Sequence, residues 1–367
     1  MRHPLHSICP YFAMFPEEFV AKQLLAFTQR GDWVFDPFSG RGTTVFESLI
    51  NGRNAAGTDI NPVAACVAGA KADSPTLKNT LARLNGLETS YVNRDEPAEG
   101  PSTSEFFSLC FHERTLAEVL YLRAHLDWRH SKVDRFIAAV ALGCLHGESH
   151  KTPNCLSNRM PRTISTKPDY SVKWWKAHGL TAPERPTFDI LRTMVRFRMQ
   201  EKAPVLTGDV KLRDARKSGS AFPSLKEKVS LIVTSPPYLD TTDYNEDQWL
   251  RLWFLGGPES PIRGKNKDDR HTNLDDYWGF LRETWTGVQP LVKRGTHVVV
   301  RIGGTRIPKQ DLSDGVLQSL QAGFHCHRVK ALHAGATTEI RNRQTNVFRP
   351  GTSAARFEHD FTFRVTG

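Results

Sequence analysis

The sequence lacks the long apolar runs and the cysteine patterns that mark several classes of protein. No run of about 18 apolar residues occurs, so no membrane-spanning helix is predicted and no membrane partner is expected. The first residues, MRHPLHSICPYF, have no apolar stretch of the kind found in signal peptides, and the expected location is the cytoplasm. The cysteines form no CxxC pair, which argues against a disulfide framework and against a zinc ribbon.

A metal site is also not expected. The adjacent residues His325, Cys326 and His327 carry suitable ligand atoms. On a strand, however, Cys326 would point away from both histidines.

The composition is that of a globular protein with a surplus of positive charge. Of 367 residues, 39% are hydrophobic and 24% are charged, which excludes a disordered or collagen-like chain. Lysine and arginine number 49 against 39 aspartates and glutamates, so the formal net charge is +10. This surplus favours a polyanionic partner such as a nucleic acid.

Strand and helix patterns alternate towards both ends of the chain. Residues 33–59 have the pattern of a strand, a glycine-rich turn, a helix and a second strand, which is a βαβ unit. Further strands are predicted at residues 204–206, 229–235, 296–303, 326–334 and 359–366. Together they predict a mostly parallel α/β sheet with an antiparallel edge. Largely helical periodicity in between predicts a catalytic domain of residues 1–75 and 203–367, interrupted by a helical insert of residues 76–202.

The first chemical motif is the turn DPFSGRGTT, at residues 36–44, where a strand passes into a helix. Gly40 and Gly42 allow a tight turn and a close approach of the backbone to a ligand, and the helix start offers free N–H groups. Asp59 ends the next strand, where a carboxylate can accept hydrogen bonds from ribose hydroxyls. A glycine turn alone can be purely structural, but Asp36 before it and Asp59 after it favour a cofactor site. The third glycine of the dinucleotide fingerprint is missing, which disfavours a dehydrogenase.

The second motif, TSPPY at residues 234–238, follows the apolar strand LIV. Two consecutive prolines cannot continue a central strand, so the chain must leave the sheet there with a stiff backbone. Open α/β sheets bind ligands at the carboxyl ends of their strands. The motif therefore indicates a site, although a rigid strand-ending turn would use the same residues.

With these two motifs the chain resembles the amino-methyltransferases, which transfer a methyl group from S-adenosylmethionine to exocyclic nitrogens of nucleobases. The turn resembles their cofactor motif, TSPPY their catalytic motif, and FPEEF at residues 15–19 their flanking helix. The resemblance covers roughly residues 10–75 and 203–305, and it implies a Rossmann-like class I methyltransferase sheet. It also implies S-adenosylmethionine as the cofactor and S-adenosylhomocysteine as the product.

The resemblance also implies roles for individual residues. The turn would hold the methionine portion of the cofactor, Asp59 the ribose, and Asp209 in LTGDV the adenine amino group, although Asp209 would also suit an ordinary strand-end turn. The flanking residues Phe15 and Pro16 would wall the pocket. The implied cofactor residues are Phe15, Pro16, Asp36, Pro37, Phe38, Ser39, Gly40, Gly42, Thr43, Thr44, Asp59, Ile60 and Asp209.

The chemistry of the second motif can be reasoned from its residues. An exocyclic amine is a weak nucleophile because its lone pair is delocalised into the ring, so a site must hold its protons in hydrogen bonds that favour a tetrahedral nitrogen. The Ser235 hydroxyl and the Pro236 carbonyl could do this, and Tyr238 could stack on an extruded base. In-line transfer then needs positioning more than covalent help. The implied catalytic residues are Ser235, Pro236, Pro237 and Tyr238.

The second motif also bears on the target base. Enzymes that methylate carbon-5 of cytosine resemble one another in a Pro-Cys pair, and no such dipeptide occurs here. Relatives that act on adenine usually carry an acidic residue or Asn in place of Ser235, whereas SPPY is more typical of N4-methylcytosine formation. The prediction is N4 of cytosine in DNA, while N6 of adenine and a base in RNA stay open. Asp240 and Asp243 could contact the base or cap the following helix.

Two acid-poor stretches could contact nucleic acid. Residues 150–176 combine basic residues with a tyrosine and two tryptophans, which suits phosphate contact and stacking, although a solvated loop over core tryptophans would look the same. A second basic stretch spans residues 341–356, where a mobile surface loop is the alternative. The predicted nucleic-acid-binding residues are Lys151, Arg159, Arg162, Lys167, Tyr170, Lys173, Arg341 and Arg343.

The sequence thus predicts a site-specific DNA methyltransferase whose helical insert recognises the target in double-stranded DNA, with the target base flipped out. The resemblance further implies a prokaryotic or phage origin, association with the nucleoid, and restriction or defence proteins as partners. A nucleic-acid-binding protein that keeps the fold without catalysis is the alternative from another class. The joint presence of Asp36, Asp59, Ser235 and Tyr238 argues against it.

Overall fold

The structure, a computed structural model, describes most of the chain. The described residues are 2–11, 15–93, 104–147, 152–160, 168–239, 248–261, 273–303, 307–339 and 357–367. The chain divides into two compact units. The sheet unit comprises Met14–Ala68, Pro204–Thr242 and Lys267–Gly367, and the helical unit comprises Met1–Ala13, Gly69–Ala203 and Asp243–Asn266.

Within the described residues, seven strands of the sheet unit form one sheet. They are β1 (Trp33–Asp36), β2 (Asn54–Asp59), β3 (Asp209–Leu212), β4 (Val229–Thr234), β5 (Val292–Gly303), β6 (Arg328–Glu339) and β7 (Phe357–Thr366). Their order across the sheet is β3-β2-β1-β4-β5-β7-β6. The first five strands in this order run parallel to one another, and β7 runs antiparallel to both β5 and β6. The predicted α/β sheet, mostly parallel with an antiparallel edge, is confirmed.

Helices precede, connect and interrupt these strands. In chain order the described α-helices are α1 (Glu17–Phe27), α2 (Thr43–Ile50), α3 (Pro62–Ala72), α4 (Leu77–Val92), α5 (Glu105–Cys110), α6 (Glu113–His125), α7 (Lys132–Cys144), α8 (Pro168–Ala177), α9 (Thr187–Arg198), α10 (Ser218–Ala221), α11 (Trp249–Phe254), α12 (Leu274–Val288) and α13 (Lys309–Gly323). None of the helices in the described ranges is long and apolar enough to span a membrane. The run from α4 to α9 separates β2 from β3 and confirms the predicted helical insert.

The central strands β1, β4 and β5 are buried on both faces. Side chains alternate between the two faces of a strand, so a strand covered on both sides has a continuous apolar run in its sequence. One set packs with Phe19 and Leu24 of α1, and it consists of Val34, Leu231, Val233 and Val299. The alternate set packs with residues of α12 and α13, and it consists of Phe35, Ile232, Val298 and Val300. The sheet therefore presents its polar strand ends, rather than its faces, to a ligand.

Strand β3 lies further along the chain than the sequence predicted. The apolar residues 204–206 are outside any strand, and Val205 is 100% exposed. β3 begins at Asp209, which pairs with Ala56, whereas Leu212 pairs with Asp59. Because the strands are parallel, Asp209 lies at the amino end of β3, roughly 10 Å along the sheet from the edge where β2 ends. The predicted position of Asp209 at a carboxyl strand end was wrong, because a half-buried edge strand has a weaker apolar pattern than the loop before it.

The helical unit is held by aromatic packing and ion pairs. Trp175 is fully buried against Phe106, and Trp249 packs on the same phenylalanine with ring centroids 4.9 Å apart. Between α4 and α7, Arg83 Nε lies 2.8 Å from Asp134 Oδ1. The unit thus has a core of its own.

Candidate active site

The turn after β1 is organised around Asp36, the last residue of that strand. Its side chain is buried, and Oδ1 accepts hydrogen bonds from the Phe38 N–H at 3.0 Å and from the Thr234 hydroxyl at 2.6 Å. Burial raises the pKa of Asp36 to about 6 because the charged form loses its water, although both hydrogen bonds lower it. The buried Asp36 side chain therefore fixes the conformation of the turn.

Asp59 ends β2 beside the same turn and is half-buried. Its Oδ2 accepts the Gly40 N–H and its Oδ1 the Asn61 N–H, each at 2.8 Å. Burial raises the pKa of Asp59 to about 7, the N–H groups of Asn61, Gly40 and Ile60 lower it, and the charge of Asp36 raises it. A carboxylate has about four lone-pair positions, so Asp59 keeps capacity for two further donors.

Most predicted cofactor residues of the turn are buried and serve the fold. The Ser39 hydroxyl donates to the Asp36 carbonyl at 3.0 Å, and the Thr44 hydroxyl donates to the Val233 carbonyl at 3.1 Å. Pro37 and Thr43 are buried as well. Among the predicted cofactor residues of this turn, Phe38 and Gly40 keep partly exposed surface.

The backbone N–H groups of the turn bond within the protein. The N–H groups of residues 38, 39, 40 and 42 already have acceptors within the protein: Asp36 Oδ1, the Thr58 carbonyl, Asp59 Oδ2 and the Ser39 carbonyl. Two of these hydrogen bonds, from Phe38 and Gly40, hold the carboxylates of Asp36 and Asp59. The free N–H groups predicted at the start of α2, which begins at Thr43, stay a prediction.

Gly42 is required by packing as well as by backbone conformation. Its φ of +74° is in the left-handed region, where a side chain is strained. A Cβ at this position would lie 2.7 Å from Ala68 Cβ and 2.8 Å from Ala68 Cα. The second glycine of the motif therefore lets α3 approach the start of α2.

The second motif begins where β4 ends, at Thr234. The 2.6 Å hydrogen bond from Thr234 to Asp36 joins this motif directly to the first, across neighbouring strands. Pro236 is buried, while Ser235, Pro237 and Tyr238 are half-buried. The two motifs thus meet at one edge of the sheet.

Tyr238 lies in a hydrogen-bonded group that the sequence did not reveal. The Ser235 hydroxyl donates to Tyr238 Oη at 3.3 Å, and the Tyr238 hydroxyl donates to Glu358 Oε1 at 2.9 Å. Arg301 Nη1 lies 3.9 Å from Glu358 Oε2, and Arg301 is held by Asp360 through hydrogen bonds of 2.7 and 2.9 Å. Burial raises the pKa of Tyr238 well above its usual value, and the nearby Glu358 carboxylate raises it further.

The flanking residues are placed differently from each other. Phe15 is buried and packs edge-on against Phe19, with ring centroids 5.4 Å apart. Pro16 is exposed and directly precedes α1. Their predicted role as pocket walls stays a prediction.

The acidic residue that follows β3 at the carboxyl edge is Asp214, not Asp209. The Arg213 N–H donates to the Asp59 carbonyl at 2.9 Å, which brings this segment against the end of β2. Asp214 accepts the Arg216 N–H at 3.0 Å and a guanidinium hydrogen bond from the same arginine at 2.6 Å. Asp209 instead lies on the opposite edge, with Lys211 Nζ 3.7 Å from its carboxylate.

The groups at the carboxyl edge fit the cofactor that the motifs imply. Asp59 can accept hydrogen bonds from the two ribose hydroxyls of S-adenosylmethionine. Ile60, which is 65% exposed, and the partly exposed Phe38 offer apolar surface for an adenine ring. In the part of the chain that the structure describes, no group of three or more His, Cys, Asp or Glu residues is arranged to hold a metal ion.

The structure describes three of the predicted nucleic-acid-binding residues. On α8, Tyr170 and Lys173 are exposed. The exposed Arg159 has its guanidinium 5.5 Å from the ring centroid of Trp174. The neighbouring Trp175 belongs to the core instead. The predicted contacts Lys151, Arg162, Lys167, Arg341 and Arg343, and the loop residues Asp240 and Asp243, lie outside the described residues.

Three residues of the site were missed from the sequence. Thr234 was visible as the first residue of TSPPY, since a hydroxyl at a strand end can bridge to the neighbouring strand. Asp214 could have been found only with β3 correctly placed. Glu358 has no local signal, because 120 residues of chain separate it from its partner Tyr238.

Comparisons with known proteins agree with the two motifs. Residues 3–68 match the family described as DNA methylase, of the N6 and N4 type. A segment of 49 residues is 43% identical to the orphan methyltransferase M.BamHII of Bacillus amyloliquefaciens, and it spans 13% of this chain and 18% of that relative.

Solved structures overlap with the chain only weakly. The rRNA methyltransferase aviRa from Streptomyces viridochromogenes has a TM-score of 0.35 at 12% identity, with 99% of this chain and 90% of that chain covered. TrmN from Thermus thermophilus gives the same score and identity, with 99% and 52% covered. At these TM-scores the overlaps carry no weight for fold or function. The sequence matches and the two joined motifs support the DNA amino-methyltransferase family, with S-adenosylmethionine as the cofactor.

Proposed function

We propose that the protein is a site-specific DNA methyltransferase that transfers the methyl group of S-adenosylmethionine to the exocyclic N4 amine of cytosine. The observation that carries the proposal is the hydrogen bond between Thr234 and Asp36. This hydrogen bond fixes the start of the Ser-Pro-Pro-Tyr segment beside the turn after β1, whose Gly40 N–H donates to Asp59. A methyl donor held at that turn and a base held at Ser235 would therefore be neighbours.

Asp59 and Ile60 would hold the ribose and adenine parts of the cofactor, and Asp214 would replace Asp209 as the acidic group near the adenine. The position of Asp214 supports this role, because Asp214 follows β3 at the same carboxyl edge where Asp59 ends β2. When bound, the cofactor supplies an electrophilic methyl group on a sulfonium sulfur. The protein needs no covalent nucleophile for such a displacement and contributes by positioning.

Ser235 and Pro236 would orient the target amine. The Ser235 hydroxyl donates its own proton to Tyr238, so its lone pairs face no competing donor in the described contacts and can accept a proton of the amine. The Pro236 carbonyl would accept the second proton. Holding both protons favours a tetrahedral nitrogen whose lone pair is available for attack.

Cytosine is preferred over adenine because Ser235 stands where enzymes acting on adenine usually carry an acidic residue or Asn. The base would be flipped out of double-stranded DNA to reach this position. Restriction or defence proteins are the proposed partners.

Target recognition is assigned to the helical unit. Its exposed Tyr170, Lys173 and Arg159 combine charge with aromatic surface, as phosphate contact and stacking require. Replacing residues 106–200 with a homologous insert should change the methylated site. An unchanged site would contradict this assignment.

The function is tested by transfer of tritiated methyl groups to unmethylated DNA and, in parallel, to RNA. We expect label in DNA, loss of transfer in Ser235→Ala with DNA binding retained, and unchanged transfer in the control Ser224→Ala. Ser224 is exposed and lies away from the motif. Label in RNA alone would replace DNA as the substrate, and no label in any nucleic acid would leave a binding protein without catalysis.

A further inference from the structure

We propose that Ser235, Tyr238 and Glu358 form a proton-transfer chain that carries the proton released by the methylated amine from the base to Glu358. This inference rests on the proposed amino-methyltransferase function. It assigns a part in the reaction to Glu358, which lies on β7 and outside both sequence motifs.

The hydrogen bonds of this chain all point in one direction. Ser235 Oγ donates to Tyr238 Oη at 3.3 Å, and Tyr238 Oη donates to Glu358 Oε1 at 2.9 Å. The first distance is longer than the usual O–H···O separation, and hydrogen bonds of catalytic groups commonly shorten when the substrate binds. A proton that enters at Ser235 can therefore move through two hydroxyls to the carboxylate without any group having to rotate.

The sheet topology brings Glu358 to the site. β7 is antiparallel to β5, and Glu358 pairs with Gly303 at the end of β5, on the carboxyl edge where TSPPY leaves the sheet. The Glu358 side chain is 16% exposed, which gives the proton a way out to water. An edge position next to a half-buried tyrosine suits a carboxylate that takes up a proton and then releases it.

Charged groups on β5 and β7 hold Glu358 in position beside Tyr238. Arg301 on β5 lies 3.9 Å from Glu358 Oε2 and is anchored by Asp360 on β7. The Arg301 guanidinium also lies 3.8 Å from the ring centroid of Phe19 on α1, which fixes it from another side. Among the described residues, further neighbours are Tyr238, which donates to Glu358, Thr338, which pairs with it on β6, and His359, whose Nδ1 lies 3.0 Å from Thr337 Oγ1.

Methyl transfer leaves one surplus proton on the amine. The lone pair of the amine forms the new C–N bond, the bond between the methyl carbon and sulfur breaks, and its electron pair stays on sulfur. The nitrogen then carries one proton too many, which passes to Ser235 Oγ while the Ser235 proton passes to Tyr238 Oη and the Tyr238 proton to Glu358. The base ends neutral and Glu358 ends protonated, until it releases the proton to water.

Tyr238 acts in this chain as a neutral hydroxyl. Burial and the neighbouring carboxylate raise the pKa of Tyr238 well above its usual value, so a tyrosinate is disfavoured and both protons must move together. Glu358 touches neither the base nor the cofactor, and it acts through Tyr238 as a positioning residue and terminal acceptor.

The test measures the single-turnover rate of methyl transfer with the full chain, DNA and S-adenosylmethionine. Glu358→Gln keeps the size and the acceptor oxygen but cannot take a proton, and we expect its rate to fall about 100-fold. Affinity for S-adenosylhomocysteine should change less than about twofold. Glu358→Asp should recover part of the rate, and the control Glu227→Gln, at the opposite end of β4, should keep all of it.

A double variant distinguishes a shared proton-transfer path from independent structural roles of Tyr238 and Glu358. Tyr238→Phe interrupts the same path, so Tyr238→Phe combined with Glu358→Gln should be no slower than the slower single variant. Tyr238→Phe also keeps the proposal testable if Glu358→Gln does not fold. A Glu358→Gln rate within threefold of the unsubstituted protein, or rate losses that multiply in the double variant, would overturn the chain while leaving the proposed function intact. No transfer by the unsubstituted protein on any DNA would overturn both.

Discussion

The binding of the cofactor product should depend on pH through Asp59. In the free protein, burial raises the pKa of this carboxyl to about 7. Ribose hydroxyls donate hydrogen bonds to the ionised form, so binding favours the charged state and lowers the pKa of Asp59 in the complex. Affinity for S-adenosylhomocysteine should therefore rise as the pH rises through about 7, and it should level off above that.

The magnitude follows from the fraction of free protein in which Asp59 is ionised. With a pKa of about 7, that fraction is about one-eleventh at pH 6 and about ten-elevenths at pH 8. Affinity should then increase about tenfold over this interval, or about 1.4 kcal/mol. Asp36, with a pKa of about 6, titrates in part of the same range, so the comparison needs a variant that lacks only the Asp59 carboxyl.

The assay is calorimetric titration with S-adenosylhomocysteine at pH 6, 7 and 8, in two buffers of different ionisation enthalpy. Asp59→Asn should bind more weakly, should lose most of the rise with pH and should release fewer protons on binding. Asp209→Asn is the matched control, and it should behave as the unsubstituted protein because Asp209 lies at the other end of the strand pair. An affinity that is flat from pH 6 to 8, or an Asp59→Asn variant that keeps the full rise, would refute the reasoning.

Three further predictions concern folding and DNA binding. Gly42→Ala should lower the free energy of unfolding by about 3 kcal/mol, because the new methyl group overlaps Ala68 and the backbone is strained. Gly86→Ala, at an open position of α4, should raise the free energy of unfolding by up to about 1 kcal/mol. Thermal unfolding measures both changes. Asp360→Asn should cost about 3 kcal/mol in the same assay because it leaves the buried Arg301 without its main partner; an unchanged midpoint would contradict this. Lys173→Ala should weaken DNA binding equally across sequences and reduce the slope of log affinity against log salt by about 1, measured by fluorescence anisotropy; an unchanged slope would remove Lys173 from the interface.

Much of the fold could be predicted because its signals are local. The apolar runs of β4 and β5 report strands buried on both faces, and the alternation of strand and helix around residues 33–59 gives a βαβ unit directly. The edge strand β3 was misplaced because Val210 and Leu212 are only half-buried there, so its apolar pattern is weak. That single displacement carried Asp209 to the wrong end of the sheet.

The site could be predicted only as far as its motifs extend. The meeting of Asp36 with the TSPPY segment follows from parallel neighbouring strands, which bring their carboxyl ends to one edge. Which side chains face a ligand could not be predicted, since the burial of Thr44, for example, depends on a hydrogen bond to the Val233 carbonyl, which is distant in sequence. The contact of Glu358 with Tyr238 depends on the antiparallel pairing of β7, which leaves no mark in either motif.

The central claim is methylation of the exocyclic amine of cytosine in DNA. The most direct measurement is mass spectrometry of nucleosides from DNA that has been incubated with the purified chain and S-adenosylmethionine, with Ser235→Ala in parallel. The account predicts N4-methylcytosine with the unsubstituted protein and none with Ser235→Ala. N6-methyladenine would correct the base, and 5-methylcytosine, or no modified nucleoside at all, would contradict the account.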